Sequence, residues 1–256
     1  MKKFLIAVFG LVLCCALAAC GGQGIGSDPS QTPAASQPTE TPNSIHPQEI
    51  PEASASEDVS EPSGQGDGAS EGNRVLIAYF TYGENASLAD GVDASTSASI
   101  QYRGDKLTGN TGLVASLIAD ATDGELFAIL TGEQYPDTYN ATLDVGQSEK
   151  SAGARPKLSS HIDDLDRYDA IFLGFPNWWG TLPQAVKGFL EEYDFTGKTI
   201  VPFCSHEGSG LGRGPQDIAA LCPGTELLDG LAVRGSAVSG AQADVQEWLN
   251  GLNLEY

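Results

Sequence analysis

Runs of consecutive apolar residues recur along the chain from position 74 onward, separated by stretches with a different rhythm. Residues 74–80 (Arg74-Val-Leu-Ile-Ala-Tyr-Phe80), 125–130, 169–174 and 198–204 carry β-branched and aromatic residues, as buried strands do, and 226–233 contains a fifth strand. Between them the apolar positions return at helical spacing, with Leu113, Val114, Leu117, Ile118 and Ala121 on one face of 111–121. The same reading predicts helices over 138–151, 183–192, 215–222 and 241–252, and a short helix or turn within 159–166. Pro183 suits a helix start, and Val245, Trp248 and Leu249 share a face of the last helix. Buried strands alternating with helices imply a parallel sheet covered on both sides. Five strands in this rhythm fit a doubly wound three-layer α/β fold of strand order 2-1-3-4-5, which binds ligands outside the carboxyl ends of its strands. Residues 81–109 are polar and show no such rhythm.

The first 72 residues follow other rules. Lys2 and Lys3 precede an apolar run from Phe4 to Ala19, the length of a signal-peptide core. The run ends in Leu17-Ala18-Ala19-Cys20, the pattern of a bacterial lipoprotein signal with Cys20 as the lipidated residue. Residues 1–19 are thus expected to be removed. Residues 20–72 then form an acidic Ser/Pro/Gly tether without Lys, Arg or aromatic residues, too poor in apolar surface to order itself. The expected location is the extracytoplasmic face of a cell membrane, held by the lipid anchor alone. Residues 73–256 form the folded domain.

The formal charge of −21 divides as +2 in the leader, −9 in the tether and −14 in the domain. An acidic domain argues against nucleic acid, whose phosphates need Lys and Arg. Gly197-Lys198-Thr199 lacks the upstream glycine of a phosphate-binding Walker loop, because Glu192 stands there. His46, His161 and His206 form no metal-ligand spacing. Cys204 and Cys222 are expected as thiols: the helix between them carries the second toward the opposite edge of the sheet, farther than a disulfide reaches.

Three segments at the ends of predicted strands carry the chemistry. Thr108-Gly109-Asn110-Thr111 stands directly before the first helix, whose N-terminal N–H groups suit a phosphate. Gly174-Phe-Pro-Asn-Trp-Trp-Gly-Thr-Leu-Pro183 places two indoles after the third strand. Alternating side-chain direction turns one toward a ligand and the other into the protein. Cys204-Ser-His-Glu-Gly-Ser-Gly-Leu-Gly212 follows the fourth strand.

Together these segments resemble the flavodoxin-like family, and the resemblance spans residues 73–256. Thr81 and Thr108-Gly109-Asn110-Thr111 look like the two halves of a flavodoxin phosphate loop, separated by an insertion of residues 82–107. Pro176, Asn177, Trp178, Trp179, Gly180 and Thr181 resemble a flavin-contacting loop. Ser205, His206, Gly208, Ser209 and Gly210 resemble a loop bordering the flavin pyrimidine, with Glu207 a departure from it. The resemblance implies FMN as cofactor and electron transfer as function, with redox proteins or a small acceptor as partners. An FMN-dependent oxidoreductase acting on an acceptor such as a quinone, and a flavin-free surface binding domain, stay open as alternatives. Within the insertion, Asp93-Ala-Ser-Thr-Ser-Ala-Ser99 resembles the acceptor motif of extracytoplasmic flavoproteins, in which Ser99 would carry FMN as an ester. Non-covalent phosphate contact by Thr96, Ser97 and Ser99, or no contact, are the other readings.

Overall fold

The structure, a computed structural model, describes residues 74–88 and 100–254. Cys20 and the insertion residues Thr96, Ser97 and Ser99 lie outside them, as do the leader and tether. Among the described residues no helix is long and apolar enough to cross a membrane.

Strand β1 (Val75–Tyr79) is followed by one helical turn, α1 (Tyr82–Asn85). A hairpin, β2 (Ile100–Arg103) and β3 (Lys106–Gly109), leads into α2 (Asn110–Thr122). Then come β4 (Glu125–Ala128), α3 (Tyr139–Ala152), β5 (Ala170–Pro176) and α4 (Gln184–Glu192). The chain continues through β6 (Thr199–His206), α5 (Gly214–Leu221), β7 (Glu226–Leu227), β8 (Leu231–Arg234) and α6 (Gln242–Gly251). Where a short helix or turn was expected within 159–166, a single 3₁₀ turn stands at Leu165–Arg167.

The main sheet runs β4-β1-β5-β6 and then β7, with β8 also on β6, and every pairing is parallel. This is the 2-1-3-4-5 order expected from the sequence, with one correction. The fifth position is filled by two short pieces in register with opposite ends of β6, because the chain breaks at Leu228–Gly230. Alternation along β1 explains the layers. Leu76, Ala78 and Phe80 enter one core with Ile171, Leu173, Phe175 and the α4 residues Ala185, Val186 and Phe189. Val75, Ile77 and Tyr79 enter the other with Phe172, Val201, Phe203 and residues of α2 and α6. In α6, Val245 and Leu249 are buried, and Trp248 meets Phe172 edge-on while its indole N–H donates to the Asp229 carbonyl at 3.0 Å.

A second correction concerns residues 81–109. This polar stretch, in which no element was expected from its pattern, holds α1 and the antiparallel hairpin β2–β3. Thr108 and Gly109, expected in a loop, are the last residues of β3 and pair with Gln101 and Ile100.

Candidate functional site

The carboxyl ends of β1, β5 and β6 lie side by side, so the segments that follow them share one rim. The Phe80 N–H donates to the Gly174 carbonyl at 2.9 Å, and the Asn177 N–H to the Ser205 carbonyl at 2.9 Å. The Thr111 and Ser205 hydroxyls meet at 2.8 Å, joining the start of α2 to the end of β6. Thr81, Thr108, Asn110, Thr111, Asn177, Thr181 and Ser205 are all buried.

The start of α2 is occupied by the protein's own contacts. The Thr108 hydroxyl donates to Glu84 Oε1 at 2.6 Å. The Tyr79 hydroxyl reaches the same carboxylate at 3.0 and 3.1 Å. Burial, and then the charge of Glu84, push the Tyr79 phenol up, so it stays a donor. Asn110 accepts from Gln101 at 2.7 Å. Two glycines permit this closeness. A Cβ on Gly83 would lie 2.2 Å from the Thr108 carbonyl oxygen, and one on Gly112 would lie 1.9 Å from the Thr108 hydroxyl. Glu84 was not among the sequence-derived candidates. It stands 24 residues from Thr108, and no spacing rule joins them.

The two indoles have separated. Trp178 is half-buried and stands edge-on to Phe80 and Tyr135 at 5.5 and 5.3 Å between ring centroids. Trp179 is 45% exposed. Trp178 and Thr181 exchange both backbone hydrogen bonds at 3.1 Å, and the two residues between them have φ of +55° and +79°. Positive φ at both central positions is the pattern of a type I′ turn. Gly180 adopts this region readily, whereas Trp179 is strained there. Neighbours hold the turn in place. Lys150 Nζ donates to the Trp179 carbonyl at 2.7 Å, and the Arg213 N–H to the Gly180 carbonyl at 2.9 Å. The Thr181 hydroxyl is turned down onto Asp217, which also pairs with Lys187 at 2.7 Å. Burial works to raise the Asp217 carboxyl, but hydrogen bonds from Lys187 and Thr181 and the nearby cations outweigh it and hold the carboxyl below its usual range. Beside the turn is a cleft of about 310 Å³ lined by Lys150, Arg155, Lys187, Arg213 and Asp217. Its cations are engaged: Arg155 with Glu191, Lys187 with Asp217, and Lys150 with the Trp179 carbonyl.

Asn177 links this turn to the next loop, donating from Nδ2 to the Gly210 carbonyl at 2.6 Å. Its Oδ1 is buried and has no partner among the described residues. Such an acceptor costs stability unless a ligand or water serves it. Gly210 also accepts from the Cys204 thiol at 3.2 Å. His206 is half-buried, and its Nδ1 accepts the Gly208 N–H at 2.8 Å. That bond assigns the ring proton to Nε2 and requires a neutral imidazole. Burial, and then Arg234 nearby, hold the His206 pKa below its ordinary value. Cys204 and Cys222 are free and buried, as expected from their placement. Burial pushes the Cys204 thiol up to about 12 and the Cys222 thiol up to about 11, so neither is a ready nucleophile. Among the described residues no group of His, Cys, Asp and Glu is arranged to hold a metal ion.

With this geometry in view, the flavodoxin family model matches residues 105–252. No curated protein matches the chain. Among solved structures, a protein assigned as a flavoprotein from Bacteroides eggerthii aligns at a TM-score of 0.55 and 22% identity, over 71% of this chain and 98% of its own. A second so assigned, from Bacteroides uniformis, aligns at 0.52 and 25% identity, over 70% of this chain and 99% of its own. A flavoprotein from Lactobacillus acidophilus, solved in complex with FMN, aligns at 0.45 and 17% identity, over 67% of this chain and 99% of its own.

Proposed function

The chain belongs to the flavodoxin family, and from that premise we propose that it is an FMN-dependent electron-transfer protein held at the outer face of a membrane by lipid on Cys20. Bound FMN supplies reversible transfer of one or two electrons. The protein's task is to hold it, orient it and set its surroundings.

The observation that carries the reading is the partnerless Oδ1 of Asn177, at the junction of the two loops expected to border a flavin. It calls for a donor that the described residues do not supply, and the N–H of a flavin pyrimidine is such a group. His206, neutral with its proton on Nε2, offers a donor from the neighbouring loop. Trp179 offers an exposed indole face on a turn fastened from two sides, which suits stacking on a flat ring. The start of α2, with Asn110 and Thr111, offers the end of a helix dipole to a phosphate. Acidic surroundings disfavour added negative charge on the cofactor and so lower its potential.

The sequence supports the location and an encounter with a redox partner. Leu17-Ala18-Ala19-Cys20 supplies the anchor, and residues 21–72 supply a tether that lets an acidic domain reach a redox partner. The test is the visible spectrum of the purified full chain, taken before and after denaturation and filtration. A yellow protein that releases a compound with the mass of FMN is the expected result. A colourless protein that stays colourless in excess FMN would refute the reading.

A further inference from the structure

Resting on that reading, we infer that Glu84 sets the charge selectivity of the phosphate cradle: it holds the Thr108 hydroxyl and opposes an incoming phosphate, so that FMN is favoured over riboflavin by much less than the cradle's donors alone would give.

A threonine hydroxyl has one hydrogen to donate. In this structure Thr108 donates it to Glu84 Oε1 at 2.6 Å. A phosphate that takes the same hydrogen must displace the carboxylate. Tyr79 steadies that carboxylate through both of its oxygens, and no Lys, Arg or His among the described residues forms an ion pair with it. Its charge is thus unneutralised by any direct partner. The carboxylate also stands at the first turn of α2. Glu84 Oε1 would be 3.2 Å from a Cβ on Gly112, the third residue of that helix. The field that favours a phosphate at a helix N-terminus also favours a carboxylate. Glu84 therefore uses the place and the donor that FMN needs, and like charges at this range repel. Riboflavin presents the same ring and ribityl chain without the phosphate and meets none of this opposition.

The experiment measures the affinities of FMN and riboflavin for the flavin-free full chain, wild type and Glu84→Gln, by quenching of flavin fluorescence. Glutamine keeps the size and a hydrogen-bond acceptor and removes the charge. In the wild type, FMN is expected to bind no more than about tenfold more tightly than riboflavin. In the Gln variant FMN should tighten at least tenfold while riboflavin stays within threefold. If both flavins change together, or FMN weakens in the variant, Glu84 is a structural brace and the inference falls. Should the variant fail to fold, the wild-type ratio decides, and a preference for FMN above about tenfold overturns the inference. A wild-type chain that binds neither flavin overturns the flavin reading and this inference together. One that binds both, with a ratio indifferent to Glu84, overturns this inference alone.

Discussion

The turn at Trp178–Thr181 and the cradle at Thr108–Gly112 sit on the same rim, yet they are built in different ways. The turn comes from one unbroken peptide. Its shape is set by its own backbone bonds, and its neighbours fasten it at Trp179, Gly180 and Thr181. The cradle is assembled from pieces distant in sequence. Glu84 comes from α1, Gln101 from β2, Thr108 from β3, and Asn110 with Gly112 from α2. A local turn can be altered at its tip without disturbing the fold. An assembled cradle transmits a change at one residue to all the others. The turn thus separates a packing residue from a displayed one, whereas the cradle uses the same residues for packing and for chemistry.

The largest effect should come from the two indoles, which the turn makes unequal. Trp178→Ala removes a ring wedged edge-on against Phe80 and Tyr135. It should cost about 3 kcal/mol in chemical denaturation. Trp179→Gly removes an exposed ring and relieves a non-glycine residue at φ +55°. Stability should stay level or rise by up to about 1 kcal/mol. Flavin fluorescence in the bound state should brighten for the second variant. Equal losses of stability in the two would mean that the turn does not divide packing from display.

The next effect tests the cradle. Gly112→Ala puts a Cβ where the Thr108 hydroxyl now lies, at 1.9 Å in the present geometry. Either Thr108 rotates away from Glu84 or the start of α2 moves. Overpacking of this kind costs about 1–3 kcal/mol, against the gain of about 1 kcal/mol that alanine gives in an ordinary helix interior. A thermal melt that shows stabilisation would mean the cradle is looser than its contacts imply.

The same contrast explains how much could be read from the sequence. The strands of the main sheet were legible because β1, β5 and most of β6 are buried on both faces and so appear as unbroken apolar runs. The 177–181 segment was legible because its elements are adjacent in the chain. The hairpin β2–β3 was not. Its strands are short and of mixed burial, from Tyr102 at 63% exposed to buried Thr108, so neither a buried run nor a clean alternation marks them. Glu84 was invisible for a related reason: its importance arises only when the hairpin carries Thr108 back against α1. The break in the fifth strand was missed although Asp229-Gly230 interrupts the apolar residues of 226–233; in the fold the chain breaks there and the Asp229 carbonyl accepts from Trp248.

The smallest effect concerns His206, which joins the turn's neighbour to the rim without contributing to either core. Its Nδ1 accepts the Gly208 N–H at 2.8 Å, an arrangement open only to a neutral ring. Burial, with Arg234 adding a like charge, lowers its pKa in the folded protein below the ordinary value of about 6.5. The unfolded chain then binds a proton more readily than the folded one. The contribution to stability is therefore fully present above about pH 6.5 and is lost as the pH falls below it, through the folded-state value. Imidazole resonances of the folded full chain should show His206 titrating below about 6.5. The Gly208 amide resonance should shift in the same pH interval, as its acceptor is lost. A His206 that titrates at or above the ordinary value, with the Gly208 amide unmoved, would remove the hydrogen bond and with it the assignment of the proton to Nε2.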